Sequence, residues 1–146
     1  RIRREKNKEV SGNFKKMKGK LDWPINGIVS AKFGLQKNKE LHTFTENTDI
    51  QIKCDNNSKI ISVMDGIIKT IDYFPGYGNI IIIDHGDLYN TVYGNIDEIF
   101  VSEGDYVSPG ETIAKISKIK EADSYLRFGV FLDGISQNPE IWLRNK

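Results

Sequence analysis

The chain has 146 residues, of which 38% are hydrophobic, and its formal net charge is +1. This length fits one domain, because domains cluster near about 100 to 150 residues. The longest apolar run is the four isoleucines at 80–83, whereas a membrane-spanning helix needs about 20 apolar residues. The single Cys54 excludes an internal disulfide and a cysteine-rich zinc site.

The charge is distributed unevenly along the chain. Residues 1–20 contain nine Lys or Arg and two Glu, a charge of +7, and the other 126 residues contain 12 Lys or Arg and 18 Asp or Glu, a charge of −6. Such a basic segment suggests nucleic acid or an anionic surface. No aromatic platform accompanies these cations, and an acidic body would repel a phosphate backbone. We therefore expect no nucleic-acid partner and interpret residues 1–17 as a charged helical tail or linker from an upstream region.

From Leu21 onward, short β-favouring runs alternate with turns rich in Gly, Pro, Asn and Asp. The predicted strands are 25–33, 49–53, 60–64, 66–73, 79–84, 89–93, 111–116 and 126–132. The isoleucine run at 80–83 has no alternation, so we expect it to be covered on both faces. These patterns predict an all-β domain of two packed sheets.

Seven short motifs follow one another from residue 18 to residue 143, over nearly the whole of this pattern. They are residues 18–27 (KGKLDWPING), 33–34 (FG), 76–79 (GYGN), 85–86 (HG), 92–94 (VYG), 104–110 (GDYVSPG) and 138–143 (NPEIWL). In this order they resemble the LytM-type (lysostaphin-like) zinc metallopeptidase domain, and we expect that domain over residues 18–146. The resemblance implies antiparallel sheets, a groove that binds peptidoglycan peptides over a zinc ion, and a bacterial protein outside the cytoplasmic membrane.

Most of the family's active-site residues are replaced in this sequence. In active members, zinc is held by a His-x-x-x-Asp motif and by the second His of a His-x-His motif. Two more histidines, the first of that pair and one following Tyr-x, assist the attacking water. Carried over, the ligand positions hold Thr45, Asp49 and Arg127, and the assisting positions hold Tyr125 and Asn95.

These replacements do not suit zinc. A catalytic zinc needs three or four N, S or O ligands and lowers the pKa of a bound water, and the permanent charge of Arg127 would repel the ion. We therefore expect no catalytic residue, no metal and no cofactor. A charge-assisted hydrogen bond between Asp49 and Arg127 is predicted to fill the place of the metal.

Three other residues are candidates for chemistry. His42 precedes the first ligand position by three residues, and we interpret it as an exposed loop histidine and not as a substitute ligand. His85 is interpreted as structural. Cys54 has no His or Cys near it in sequence to activate a thiolate, so a buried, inert side chain is expected.

Residues 104–113 also resemble the hairpin of biotinyl and lipoyl carrier domains. Those domains present a modifiable lysine in a tight turn. Lys69 lies inside a predicted strand, which disfavours a carrier.

A hydrolase groove without its metal keeps a concave, aromatic surface suited to binding a peptide or protein. Tyr and Arg are enriched at binding hot spots, and the resemblance brings several of them to one place. The predicted partner-binding groove consists of Glu46, Asp49, Tyr77, Tyr93, Asn95, Tyr125, Arg127 and Phe131.

The motif set and the charged leader are similar to the EnvC-type murein hydrolase activators. That resemblance implies a non-catalytic, periplasmic or otherwise extracytoplasmic domain that activates a cell-wall amidase during cell separation, with an upstream coiled coil ending in residues 1–17. Peptidoglycan itself, and a membrane division complex reached through the upstream region, are further expected partners. A glutamate usually stands at the position of Gly129 in those activators. A peptidoglycan-binding or division scaffold and a divergent zinc endopeptidase stay open as alternatives.

Overall fold

The computed structural model describes residues 9–55, 57–116 and 124–146. The larger part of the predicted charged tail, residues 1–8, lies outside the described residues. The strands are β1 (Ile28–Ala31), β2 (Gly34–Asn38), β3 (Thr43–Asn47), β4 (Ile50–Lys53), β5 (Ser58–Ile61), β6 (Gly66–Phe74), β7 (Gly78–Asp84), β8 (Tyr89–Ile96), β9 (Glu98–Ile99), β10 (Tyr106–Val107), β11 (Thr112–Ile116), β12 (Tyr125–Leu132) and β13 (Ile135–Gln137). A 3-10 helix covers Lys15–Met17, and α1 covers Pro139–Trp142.

The strands form antiparallel sheets. The large sheet has the order β1-β4-β12-β8-β7-β6-β10, with β13 paired to β12, and a smaller sheet has the order β5-β11-β9. β2 and β3 pair only with each other among the described strands and form a separate hairpin. The predicted fold class, all-β with two packed antiparallel sheets, is confirmed.

The core joins the inner faces of the two sheets. Because side chains alternate along a strand, Leu126, Phe128 and Val130 of β12 all point inward and are fully buried. Ile60 of β5 and Ile113 of β11 meet them from the smaller sheet in one hydrophobic cluster. The large sheet is therefore covered by the smaller sheet on one face, and its other face is available for a site.

The isoleucine run follows the sequence-based expectation. Ile80, Ile81 and Ile83 are buried, and Ile82 is half-buried. Since neighbours on a strand point to opposite faces, both faces of β7 are covered. This strand lies between β6 and β8 inside the large sheet.

The sequence missed the hairpin of β2 and β3 and the short strands β9, β10 and β13. The hairpin is almost entirely exposed, so it has no buried stripe to produce the alternation on which sequence-based prediction depends. The predicted strand at 25–33 is also shorter in the structure, where β1 ends at Ala31 and β2 begins at Gly34.

One residue of the predicted tail belongs to the packed body. Phe14 is 1% exposed and its ring lies 5.0 Å from the rings of both Tyr89 and Trp142. Ser11 donates two hydrogen bonds, from its backbone N–H and its hydroxyl, to the carboxylate of Asp65. Packing therefore begins upstream of residue 18. Within the described residues, no helix is long and apolar enough to span a membrane.

Candidate functional site

An ion pair occupies the outer face of the large sheet. Asp49 lies just before β4, and Arg127 is the third residue of β12, which pairs with β4. The guanidinium donates from Nε to Asp49 Oδ2 over 3.0 Å and from its terminal nitrogen to Asp49 Oδ1 over 3.2 Å. This bidentate geometry is the strong form of a charge-assisted hydrogen bond. The predicted contact between Asp49 and Arg127 is confirmed.

Arg127 has a second contact on the other side of its guanidinium. Its central carbon lies 4.1 Å from the ring centroid of Tyr77, a cation–π distance, and it donates a long hydrogen bond of 3.5 Å to the carbonyl of Gly76. Burial by itself lowers the pKa of Arg127, but the hydrogen bond and charge of Asp49 raise it, and the net direction is upward. The site therefore holds a permanent cation fixed between a carboxylate and an aromatic ring.

Beside the pair lies an apolar groove with a volume of about 360 Å³. Gly129 and Phe131 follow Arg127 on the same face of β12, since successive odd positions share a face. The groove is lined by Thr48, Asp49, Phe74, Pro75, Tyr77, Ile80, Val92, Gly129 and Phe131. A mostly apolar cleft with a few polar groups at one end is the usual form of a binding site.

Gly129 keeps the groove open. A side chain built there would place its Cβ 2.9 Å from the ring of Phe131 and 3.5 Å from Cβ of Asp49. Any larger residue at this position would enter the space between the ion pair and Phe131. The absence of a side chain at Gly129 thus deepens the groove.

The prediction that Tyr93 lines the groove is wrong. Tyr93 is fully buried on the inner face, because it alternates with Val92 and Gly94, which face outward on β8. Its ring packs on Phe128, and its hydroxyl accepts a hydrogen bond from the backbone N–H of Val63. Burial raises the pKa of Tyr93 to about 12. The residue belongs to the core.

Asn95 and Tyr125 lie near the end of the groove, where hydrogen bonds of Asn95 connect β8 to β12 and to the turn that carries Tyr77. The side-chain amide of Asn95 donates to the carbonyl of Tyr125 over 2.7 Å, and its backbone N–H donates to the carbonyl of Tyr77 over 2.6 Å. Asn95 has a φ of 65°, a conformation that asparagine tolerates better than most residues. It therefore fixes the Tyr77 turn against β12, and Tyr125 lies on the same face as Arg127.

Thr45 and Glu46 are not part of the groove lining. Both are exposed on β3, where they pair with Gln36 and Leu35 of β2. Thr45 lines a separate polar cleft at the hairpin. Of the eight predicted groove residues, the lining therefore contains Asp49, Tyr77 and Phe131, with Arg127 bound to two of them.

Among the other candidates, His85, His42 and Lys69 agree with their interpretations, and Cys54 is less buried than expected. His85 is buried, with Nδ1 2.7 Å from the carbonyl of Asp65 and Nε2 2.7 Å from the hydroxyl of Thr91. His42 is exposed in the turn between β2 and β3. Cys54 is half-buried against the core, not fully buried as expected. Lys69 is exposed inside β6, so it is not presented at a turn.

Sequence-based reasoning missed six groove residues, which are Thr48, Phe74, Pro75, Ile80, Val92 and Gly129. The strand pattern contains a signal for two of them. If β7 and β8 pair as neighbours, Ile80 and Val92 fall on the face opposite Ile81 and Tyr93. Phe74 ends β6 and Pro75 begins the turn that follows, and the strand pattern does not define the path of that turn.

The residues of this site do not fit zinc. Both carboxylate oxygens of Asp49 accept hydrogen bonds from Arg127, and the other two ligand positions are a threonine and the arginine itself. In the described part of the chain, no group of three or more His, Cys, Asp or Glu is arranged to hold a metal. A guanidinium bound to the only carboxylate of the motif leaves no donor set for a dication.

Residues 45–139 match the model of Peptidase family M23. The match covers more than half of the chain and includes the ion pair, the groove and all the replaced ligand positions. The chain therefore belongs to Peptidase family M23, the family of LytM-type domains.

Two relatives are named as activators. The chain is 26% identical over 134 residues to the murein hydrolase activator EnvC of Escherichia coli, an alignment of 91% of this chain and 31% of that protein. It is 31% identical over 118 residues to the murein hydrolase activator NlpD of Escherichia coli, covering 80% of this chain and 29% of that protein. The chain thus spans less than a third of the length of either relative.

A solved structure with the same fold is a zinc-containing peptidase from Vibrio cholerae. The TM-score is 0.71 at 20% sequence identity, and the superposition covers 82% of this chain and 39% of the peptidase chain. At this identity the likeness shows the fold. This chain is thus similar in sequence to proteins named as activators and similar in fold to a protein named as a peptidase.

Proposed function

We propose that this chain is a non-catalytic M23 domain that binds and activates a peptidoglycan amidase at the bacterial cell envelope. The observation that carries the proposal is the bidentate contact of Arg127 with Asp49. Through this contact, a covalently attached guanidinium takes the position at which an active member of the family would bind a zinc ion. The names of the relatives EnvC and NlpD support the activator role.

The apolar groove is the proposed docking site for the amidase. Phe74, Tyr77 and Phe131 supply exposed or half-exposed aromatic surface, and Arg127 supplies a charged anchor at one end. Aromatic residues and arginine contribute most of the energy in protein interfaces. An apolar helix or loop with one acidic or carbonyl group at its end has the shape and chemistry for this cleft.

The proposed mechanism is a shift of the amidase between two states. In the closed state, a segment of the amidase covers its own zinc site. The groove binds that segment in the open state and has no comparable affinity for the closed one. Differential affinity of this kind is the only way in which a ligand shifts such an equilibrium.

The test is release of dye from labelled peptidoglycan by the domain alone, by an amidase from the same organism alone, and by both together. We expect no release by the domain alone and synergy with the amidase. Release by the domain alone that a chelator abolishes would make it a peptidase. Retention on sacculi without synergy would make it a scaffold.

Variants then assign the effect to the groove. Arg127→Ala and Phe131→Ala are expected to abolish most of the synergy, because they remove the charged anchor and part of the aromatic surface of the groove, and Tyr125→Ala is expected to weaken it. Lys69→Ala, an exposed change on β6, is the matched control and is expected to have no effect. Synergy that survives both Arg127→Ala and Phe131→Ala would show that the amidase binds elsewhere.

A further inference from the structure

A group of exposed cations lies on the body of the domain, outside the groove lining. We give the name basic face to Lys15, Lys16, Lys18, Lys20 and Arg144, all of which are exposed. The two segments that carry them are joined by backbone hydrogen bonds, from Gly19 to the carbonyl of Trp142 over 3.0 Å and from Arg144 to the carbonyl of Leu21 over 2.9 Å. The segments that carry the five cations are therefore adjacent in the fold.

This surface is fixed to the core. Phe14, directly before the first lysine, is buried, and the amine of Lys18 lies 5.5 Å from the ring centroid of Trp142. A cation held on a packed platform loses little conformational freedom when it binds. The interpretation of residues 1–17 as a tail or linker therefore does not extend to Lys15 and Lys16.

Nearby carboxylates leave most of this charge uncompensated. Across residues 9–55, 57–116 and 124–146, none of the four lysines forms an ion pair. Arg144 pairs with Asp22 over 3.2 Å. Residues 1–8 add five Lys or Arg and one Glu to the same end of the sequence, while residues 21–146 carry −6. Such a separation of charge orients a protein in front of an anionic surface.

An exposed apolar residue lies next to the segment that carries Lys18 and Lys20. Ile141 of α1 is 55% exposed, and its carbonyl lies 3.7 Å from the Cβ position of Gly19, between Lys18 and Lys20. Basic side chains combined with exposed apolar ones are typical of proteins that lie on a bilayer. A clustered set of lysines of this size binds anionic lipid headgroups.

We propose that the basic face binds the surface of a bilayer that contains anionic phospholipid. The proposal does not rest on the activator function, because it uses neither the groove nor the ion pair. Charge complementarity accounts for the lysines, and the headgroup region accounts for Ile141.

The test is co-sedimentation of the 146-residue chain with vesicles of phosphatidylcholine and phosphatidylglycerol, or of phosphatidylcholine alone. We expect binding only to the anionic vesicles, and loss of it when salt is raised from about 0.1 to 1 M, which shortens the Debye length from about 10 to 3 Å. Absence of binding to anionic vesicles, or equal binding to both kinds, would overturn the proposal.

A charge-matched pair of variants locates the surface. The first variant is expected to weaken binding at least tenfold, and it combines Lys15→Glu, Lys16→Glu, Lys18→Glu and Lys20→Glu. The second variant changes the net charge equally at other exposed positions and is expected to weaken binding much less. It combines Lys37→Glu, Lys39→Glu, Lys59→Glu and Lys69→Glu. Equal losses would mean that net charge, and not this face, is responsible. Circular dichroism checks that both variants are folded.

Inorganic polyphosphate distinguishes lipid from a soluble polyanion. Ile141→Glu is expected to weaken binding to the vesicles more than binding to polyphosphate, because only the bilayer has an apolar region. Binding to polyphosphate without binding to vesicles would assign the face to an anionic polymer and overturn the bilayer proposal.

Discussion

The two faces of β8 and β12 carry two polar clusters of opposite character. On the outer face, Arg127 and Asp49 form a charged pair that is open to solvent at one side, with 20% and 10% of their side chains exposed. On the inner face, His85, Thr91 and Tyr93 form a neutral, buried chain of hydrogen bonds. The polar groups of the inner cluster form hydrogen bonds with one another inside the core, whereas the outer cluster retains exposed groups that a partner can contact.

The largest expected effect is a loss of stability at low pH, and it tests whether the inner cluster is neutral. Burial lowers the pKa of His85 to about 4, although contact with Asp65 raises it in part. Between about pH 6.5 and 4 the unfolded chain binds a proton at His85 that the folded chain does not, so stability falls as pH falls through this window. The total loss is about 3 kcal/mol, and it is complete near pH 4.

Urea denaturation at a series of pH values measures this loss, with His85→Gln as the variant that lacks the titrating group. The wild type and the variant should differ in slope between pH 4 and 6.5. NMR of the His85 imidazole gives the midpoint directly, should the variant fail to fold. A midpoint above pH 6 would contradict the neutral, buried state of this histidine.

The outer pair is expected to contribute less to stability. Arg127→Ala leaves the Asp49 carboxylate without its partner and should cost about 2 kcal/mol, below the roughly 3 to 5 for a fully buried pair because solvent reaches this one. The double variant Asp49→Ala with Arg127→Ala should regain part of that loss. Urea denaturation of the four proteins gives the coupling energy, and additive losses would show that the two side chains do not interact.

A smaller effect is expected from Tyr93→Phe. Removal of the hydroxyl leaves the backbone N–H of Val63 without its acceptor, and this should cost about 1 to 2 kcal/mol. Stimulation of an amidase should not change, since Tyr93 faces the core. Tyr125→Phe is the matched change on the outer face. For both variants, the urea midpoint measures stability and the dye-release assay measures stimulation of the amidase. A loss of stimulation at unchanged stability in Tyr93→Phe would break the comparison.

The smallest effect on stability is expected at the groove surface. Tyr77 is 39% exposed, and Tyr77→Ala should cost less than about 1 kcal/mol, the value of one cation–π contact at a surface. The same change should reduce stimulation of the amidase several-fold. Tyr73→Ala serves as control, because Tyr73 is 62% exposed on β6 and does not line the groove. Equal effects of both changes on stimulation would remove Tyr77 from the proposed interface.

Much of this molecule could be predicted from sequence where burial imposes a pattern. Strands such as β7 and β12 were predicted because their inner faces are apolar, and the Asp49 contact was predicted because the resemblance places Asp49 and Arg127 at two ligand positions of one metal. The hairpin of β2 and β3 could not be predicted, since exposed strands have no such pattern. Phe74 and Pro75 were missed because the path of the turn that brings them to the groove depends on the completed sheet.

The error at Tyr93 has a different origin. The residue was placed in the groove by its neighbourhood in sequence to Asn95, but strand alternation sends it to the core. Its burial could have been predicted, because Thr91 and Tyr93 share a face and Val92 and Gly94 share the other. A motif gives the position of a residue along a strand, and only the register gives its face.

The side chain of Arg127 makes the cation of the outer site independent of metal supply. A zinc ion occupies its ligands according to its concentration and is lost when the environment is starved of zinc. A guanidinium is covalently part of β12, so every folded molecule carries this cation at every zinc concentration. The same covalent attachment prevents the cation from being exchanged for a metal ion.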